Sequence, residues 1–133
     1  NTGKLEVVLD AEQLTATIFS GTQTIASGAS HTFTTTLDKN GSTVYNLLIT
    51  STTSALDIDY SVATDLSDDN STFYTDSNSG GGMGPTNPVV SAIQNAQLSF
   101  TNQTSRYSRI TFTNSGVATL TITSVKATRI NGL

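Results

Sequence analysis

The 133-residue chain contains no cysteine, so neither disulfides nor thiolate metal sites can hold it together. That absence leaves the compartment open, since cytosolic and extracellular proteins alike can lack the residue. Tryptophan is missing too, and with it the side chain best suited to stacking on a sugar ring. Only 12% of the residues are charged and there are two prolines, whereas disordered chains usually stay soluble through charge and proline. No apolar run approaches the ~18 residues of a membrane span, and no signal-peptide pattern stands at the start. The net charge of −4 disfavours a phosphate backbone, so no nucleic-acid partner is expected. The chain opens on Asn1 rather than Met, which points to a processed or trimmed form.

Thr and Ser are abundant, filling roughly a third of the positions. Thr is β-branched and suits a pleated, half-exposed surface. Alternation follows: Leu56, Ile58, Tyr60 and Val62 share one parity, as do Tyr45, Leu47 and Ile49, and again Leu14, Ala16 and Ile18. Phe33, Thr35 and Leu37 repeat the pattern, as do the pairs Leu98/Phe100, Ile110/Phe112 and Leu120/Ile122. No window carries a helical period. The expected strands are 4–10, 13–19, 23–26, 31–37, 43–52, 55–64, 72–75, 96–102, 106–113 and 117–129. Asn40-Gly41 and Asn114-Ser115-Gly116 read as tight hairpin turns. Parity slips between Tyr107 and Ile110, and between Ile122 and Val125, which predicts bulges near a sheet edge. The expectation is one all-β domain over 1–133, an antiparallel β-sandwich of jelly-roll or immunoglobulin-like type with about 8–10 strands. A Gly-rich loop at 76–88 interrupts it, carrying Met83 as its one apolar anchor.

Catalytic constellations are scarce. The single histidine, His31, shares parity with Phe33 and reads as a cap at the rim of the core. No Gly-x-Ser-x-Gly elbow exists, and Asp57 with Asp59 sits on an outer strand face ringed by hydroxyls. No enzyme is expected. Asp65, Ser67, Asp69, Ser71 and Asp76 stand at positions 1, 3, 5, 7 and 12 of a calcium-type loop, with Asn70 where a sharp turn is needed. The same residues also suit a solvated turn, so structural Ca²⁺ stays one of two readings, and no other cofactor is implied. Asn40, Asn70 and Asn102 each begin a glycosylation sequon at a frequency chance would supply. All ten acids lie between Glu6 and Asp76, while Arg106, Arg109, Lys126 and Arg129 fall in the acid-free last quarter. Such a split suits complementary faces that meet between copies.

Four segments run in a distinctive order. They are Ser20–Ser30, the strand ending Tyr45–Ile49, Ile58–Asp65 leading into Ser71–Tyr74, and Ser105-Arg-Tyr-Ser-Arg-Ile-Thr-Phe-Thr-Asn-Ser-Gly116. The layout resembles small β-sandwich virion proteins of tailed bacteriophages, of the head-decoration or tail-associated kind. The resemblance implies a non-enzymatic structural protein on a virion surface, assembling with copies of itself and a capsid; the expected assembly contacts include Met83, Arg106 and Arg109. The alternative is a secreted subunit of an extracellular filament or surface layer. There Leu5, Val7 and Leu9 of an exchanged strand 4–10 would complete the sheet of a neighbour. A carbohydrate-binding or adhesion module is the third reading.

Overall fold

The computed structural model describes residues 13–40, 42, 44–75, 87–101 and 105–130. The expected strand 4–10, most of the Gly-rich loop, Asp76, Met83 and Asn102 lie outside them. Among the described residues are ten strands: β1 (Gln13–Ile25), β2 (Ser30–Thr32), β3 (Leu37–Asp38), β4 (Tyr45–Ser51), β5 (Asp59–Ser67), β6 (Tyr74–Thr75), β7 (Val89–Ser91), β8 (Asn95–Phe100), β9 (Tyr107–Asn114) and β10 (Leu120–Ile130). They form two antiparallel sheets. One has the order β1-β10-β4-β8; in the other β9 and β5 are central, β2 and β3 follow each other along β9, and β7 and β6 lie along β5.

Period-two burial holds the sheets face to face. Tyr45, Leu47 and Ile49 of β4 and Tyr60 and Val62 of β5 are fully buried, as are Ile110 and Phe112 of β9 and Leu120 and Ile122 of β10. Tyr60 stacks on Phe112 at 5.2 Å between centroids, and Tyr45 stacks on Phe100 at 5.1 Å. His31 sits edge-on to Phe33 at 4.8 Å, at the core's rim as its parity predicts. Lys39 is buried as well, its Nζ donating to Ser108 Oγ at 2.9 Å.

Several expectations need correction. Gln13–Ile25 form one long strand rather than two, with irregular register between Thr17 and Phe19 and between Ser20 and Gln23. Leu56 does not continue the alternation of β5: it lies in a 3-10 turn (Ala55–Asp57) and is 91% exposed. The segments around Asn40-Gly41 and Asn114-Gly116 are not hairpins, since β3→β4 and β9→β10 each pass from one sheet to the other. β9 pairs with β5 in unbroken register, so no bulge separates Tyr107 from Ile110; Tyr107 lies on the outward parity. The shift between Ile122 and Ser124 is real, but it falls in a central strand and not at an edge. Strand β7, straight after Pro88, was not anticipated.

The expected strand 31–37 is broken as well. Thr32 pairs with Thr111 and Leu37 with Ser108, so five steps along the edge oppose three along β9. Two surplus residues are thrown outward between Phe33, whose N–H still donates to Ile110 O at 3.0 Å, and Leu37.

Candidate functional site

That bulge makes one wall of a cleft of ≈ 450 Å³ lined by Thr32, Phe33, Thr34, Thr36, Asn70, Phe73 and Arg109. The facing wall is the turn between β5 and β6. Asn70 adopts φ +58°, a conformation that asparagine tolerates better than most residues. Asp69 organises the turn: its Oδ1 accepts from the backbone N–H of Ser71 and of Thr72, both at 2.9 Å, and from Ser67 Oγ at 3.0 Å. The N–H groups of Thr72 and Ser71, then the Ser67 hydroxyl, hold the Asp69 carboxyl below its usual range. Thr36 Oγ1 donates to Asn70 Oδ1 at 2.8 Å and closes one end of the cleft.

The floor continues onto the outer face of the sheet. Antiparallel register places Ser30, Thr113 and Ser61 in one row, Thr32, Thr111 and Ala63 in the next, and Arg109 with Asp65 in the third. Hydroxyls pair across strands: Ser30 with Thr113 at 2.7 Å and Thr32 with Thr111 at 2.8 Å. In the third row Arg109 Nη2 and Nε donate to Asp65 Oδ2 at 2.8 and 3.2 Å. The Phe73 ring covers the guanidinium, with Cζ 4.3 Å from the ring centroid. The site therefore offers hydroxyls that donate and accept, a neutralised Arg–Asp pair and an aromatic wall. Both Arg109 Nη1 and Asp65 Oδ1 remain without a partner among the described residues.

The residues singled out in the sequence are dispersed. Ser67 and Asp69 do meet, but within a hydrogen-bonded turn, while Asp65 is turned to Arg109. Among the described residues no three metal-capable side chains converge. Arg109 belongs to the cleft. Arg106 lies further along β9, bidentate to Asp38 at 3.1 and 3.0 Å, and its guanidinium holds the Asp38 carboxyl below its usual range. Two of the four late bases thus meet acids inside the chain. Tyr60 is sealed in the core, whereas Tyr74 is 69% exposed. Thr32, Phe33, Thr34, Thr36 and Phe73 were not recognised as site residues. The run Thr34-Thr35-Thr36 between two buried residues was the available signal.

Neither a family model nor a curated protein matches the chain. Among solved structures, a mitogen derived from Yersinia pseudotuberculosis aligns with a TM-score of 0.44 at 13% identity, over 93% of this chain and 88% of that one. The CBM22-1–GH10 modules of endo-1,4-β-D-xylanase 10B from Clostridium thermocellum, complexed with xylohexaose, align at 0.43 and 10% identity. There 91% of this chain is covered but 25% of the other. A xylan-binding module, CBM15, aligns at 0.41 and 15% identity, over 93% of this chain and 100% of that one.

Proposed function

We propose that this chain is a non-catalytic binding domain for a neutral glycan, held in the cleft between the β2–β3 bulge and the β5–β6 turn. The observation that carries the reading is the composition of the cleft: Phe73 and Arg109 stand beside Thr32, Thr34, Thr36 and Asn70 around ≈ 450 Å³. A sugar presents hydroxyls that both donate and accept, together with patches of C–H. Threonine hydroxyls and an asparagine amide answer the first, and an aromatic wall answers the second.

Charge selects among sugars. Asp65 already neutralises Arg109, and Asp69 adds a second carboxylate in the adjoining turn. A uronic or sialic acid would find no uncompensated cation there. A neutral hexose or pentose polymer meets no such penalty. The outer-face rows running from Arg109 to Thr113 extend the same hydroxyl chemistry beyond the cleft, which favours an oligosaccharide over a single sugar.

Binding to an array of neutral and acidic glycans tests the reading. Retention of neutral oligosaccharides, lost in the Phe73→Ala and Thr34→Ala variants, is the expected result. Exclusive retention of acidic glycans, or binding indifferent to both substitutions, would sink it.

A further inference from the structure

A second surface lies at the end of the sandwich where β9 finishes, formed by the 3-10 turn, the β7–β8 turn and the β9–β10 connection. Leu56 and Val117 are each 91% exposed there, and Ile93 is 50% exposed. Leu56 and Val117 flank a depression of ≈ 250 Å³ whose wall includes Asp57, Asp59 and Ser115. The backbone beneath it is fixed: Ser115 N–H donates to Asp59 O and Ala92 N–H to Ile58 O, both at 2.9 Å. Neither Asp57 nor Asp59 has an ion-pair partner among the described residues. Apolar tips this exposed, around two uncompensated carboxylates, suit a partner that offers a cation set beside apolar surface.

The chain carries that complement itself. Lys126 is exposed on the outer face of the β1-β10-β4-β8 sheet, and no ion pair engages it among the described residues. Directly opposite it on β4 is Leu48, exposed at 38%. By contrast, Arg106 and Arg109 are already paired with Asp38 and Asp65.

We propose that the acidic, apolar-tipped end of one copy docks on the sheet face around Lys126 and Leu48 of a second copy. The two patches differ, so the contact is heterologous: each copy keeps one patch for the next, and the assembly grows as a chain or closes as a ring. Such growth supplies the lattice that the virion and filament readings of the sequence call for, and it stands independently of glycan binding.

Sedimentation velocity over a concentration series tests the contact on the full chain. Average mass is expected to rise with concentration and to fall back in about 1 M salt, where the screening length shrinks to ~3 Å. The double variant Asp57→Asn/Asp59→Asn and the single variant Lys126→Gln should each weaken self-association by roughly tenfold or more, with circular dichroism unchanged. The decisive arm mixes the two variants. Each retains one intact patch, so the mixture should form a 1:1 dimer that grows no further. A wild-type chain that stays monomeric throughout, self-association that neither variant weakens, or a mixture that forms no dimer would overturn the proposal.

Discussion

Phe73 lies across the guanidinium of Arg109, with 4.3 Å between Cζ and the ring centroid, and so joins the β5–β6 turn to the outer face of β9. One aromatic side chain thereby serves as a wall of the cleft and as a clamp on its cation. Phe73→Ala removes both. The expected result is about tenfold weaker glycan binding, ~1.4 kcal/mol, measured by titration calorimetry. Because Phe73 lies outside the core, thermal unfolding should register no more than about 0.5 kcal/mol.

Arg109→Lys tests the geometry separately from the charge. A lysine keeps the positive charge but loses the planar fork that places two N–H groups on Asp65 Oδ2 and stacks beneath Phe73. Glycan affinity is expected to fall by about fivefold to tenfold, on the order of one neutral hydrogen bond, in the same calorimetric assay. Full affinity in the lysine variant would show that charge alone suffices.

Asn114 ties three segments together where β9 leaves its sheet. Its Nδ2 donates to Ile25 O at 2.9 Å and to Ala118 O at 2.8 Å, while Oδ1 accepts from Gly116 N–H at 2.9 Å. The side chain is buried, so Asn114→Ala leaves two carbonyls and an amide without that partner. A loss of about 3 kcal/mol in denaturant unfolding is expected, at ~1 kcal/mol for each bond. Asn114→Asp should cost a similar amount, because the carboxylate cannot donate to either carbonyl.

Tyr60 presents the opposite case. Its phenol is buried without a hydrogen-bond partner among the described residues, and burial pushes its pKa far up, so the group stays neutral. Tyr60→Phe keeps the stacking on Phe112 and removes the orphaned hydroxyl. The melting temperature should hold or rise, by up to about 1 kcal/mol of added stability.

Acid weakens the fold through Asp38 and Asp69. Both carboxyls are held below their ordinary value of 3.8, Asp38 chiefly by Arg106 and Asp69 chiefly by the N–H of Thr72. A lowered folded pKa means that the unfolded chain binds protons first. Their stabilisation is therefore complete above pH 3.8 and lost as pH falls through the lowered values. Melting temperatures followed downward from pH 5 should decline less steeply for Asp38→Asn than for the wild type. Adding EDTA at neutral pH should leave the melting temperature unmoved, because Asp65 is turned to Arg109 and Asp69 is tied into its own turn rather than toward a shared centre.

The sandwich was legible in the sequence because burial on one face imposes period two, and Tyr45–Ile49 and Ile58–Val62 keep that period cleanly. The cleft was hidden by the same rule. A surplus of two residues between Thr32 and Leu37 preserves parity, so Phe33 and Leu37 still alternate correctly although the strand between them is broken. Phe73 was invisible for a different reason: its role depends on Arg109, which is remote in sequence and is brought near by the β5–β9 register. Turn chemistry misled in two ways: Asn40 does take φ +49°, but in a connection between sheets, and Asn114–Gly116 makes its crossing with no positive φ at Asn114, Ser115 or Gly116.

The most direct test of the glycan reading is a two-dimensional NMR titration of the labelled chain with neutral gluco-, manno- and xylo-oligosaccharides. Shifts concentrated on Thr32, Thr34, Asn70, Phe73 and the Arg109 Nε–H, saturating with one of these sugars, are the expected result. No shift with any neutral oligosaccharide, or shifts confined to the face around Lys126, would contradict it.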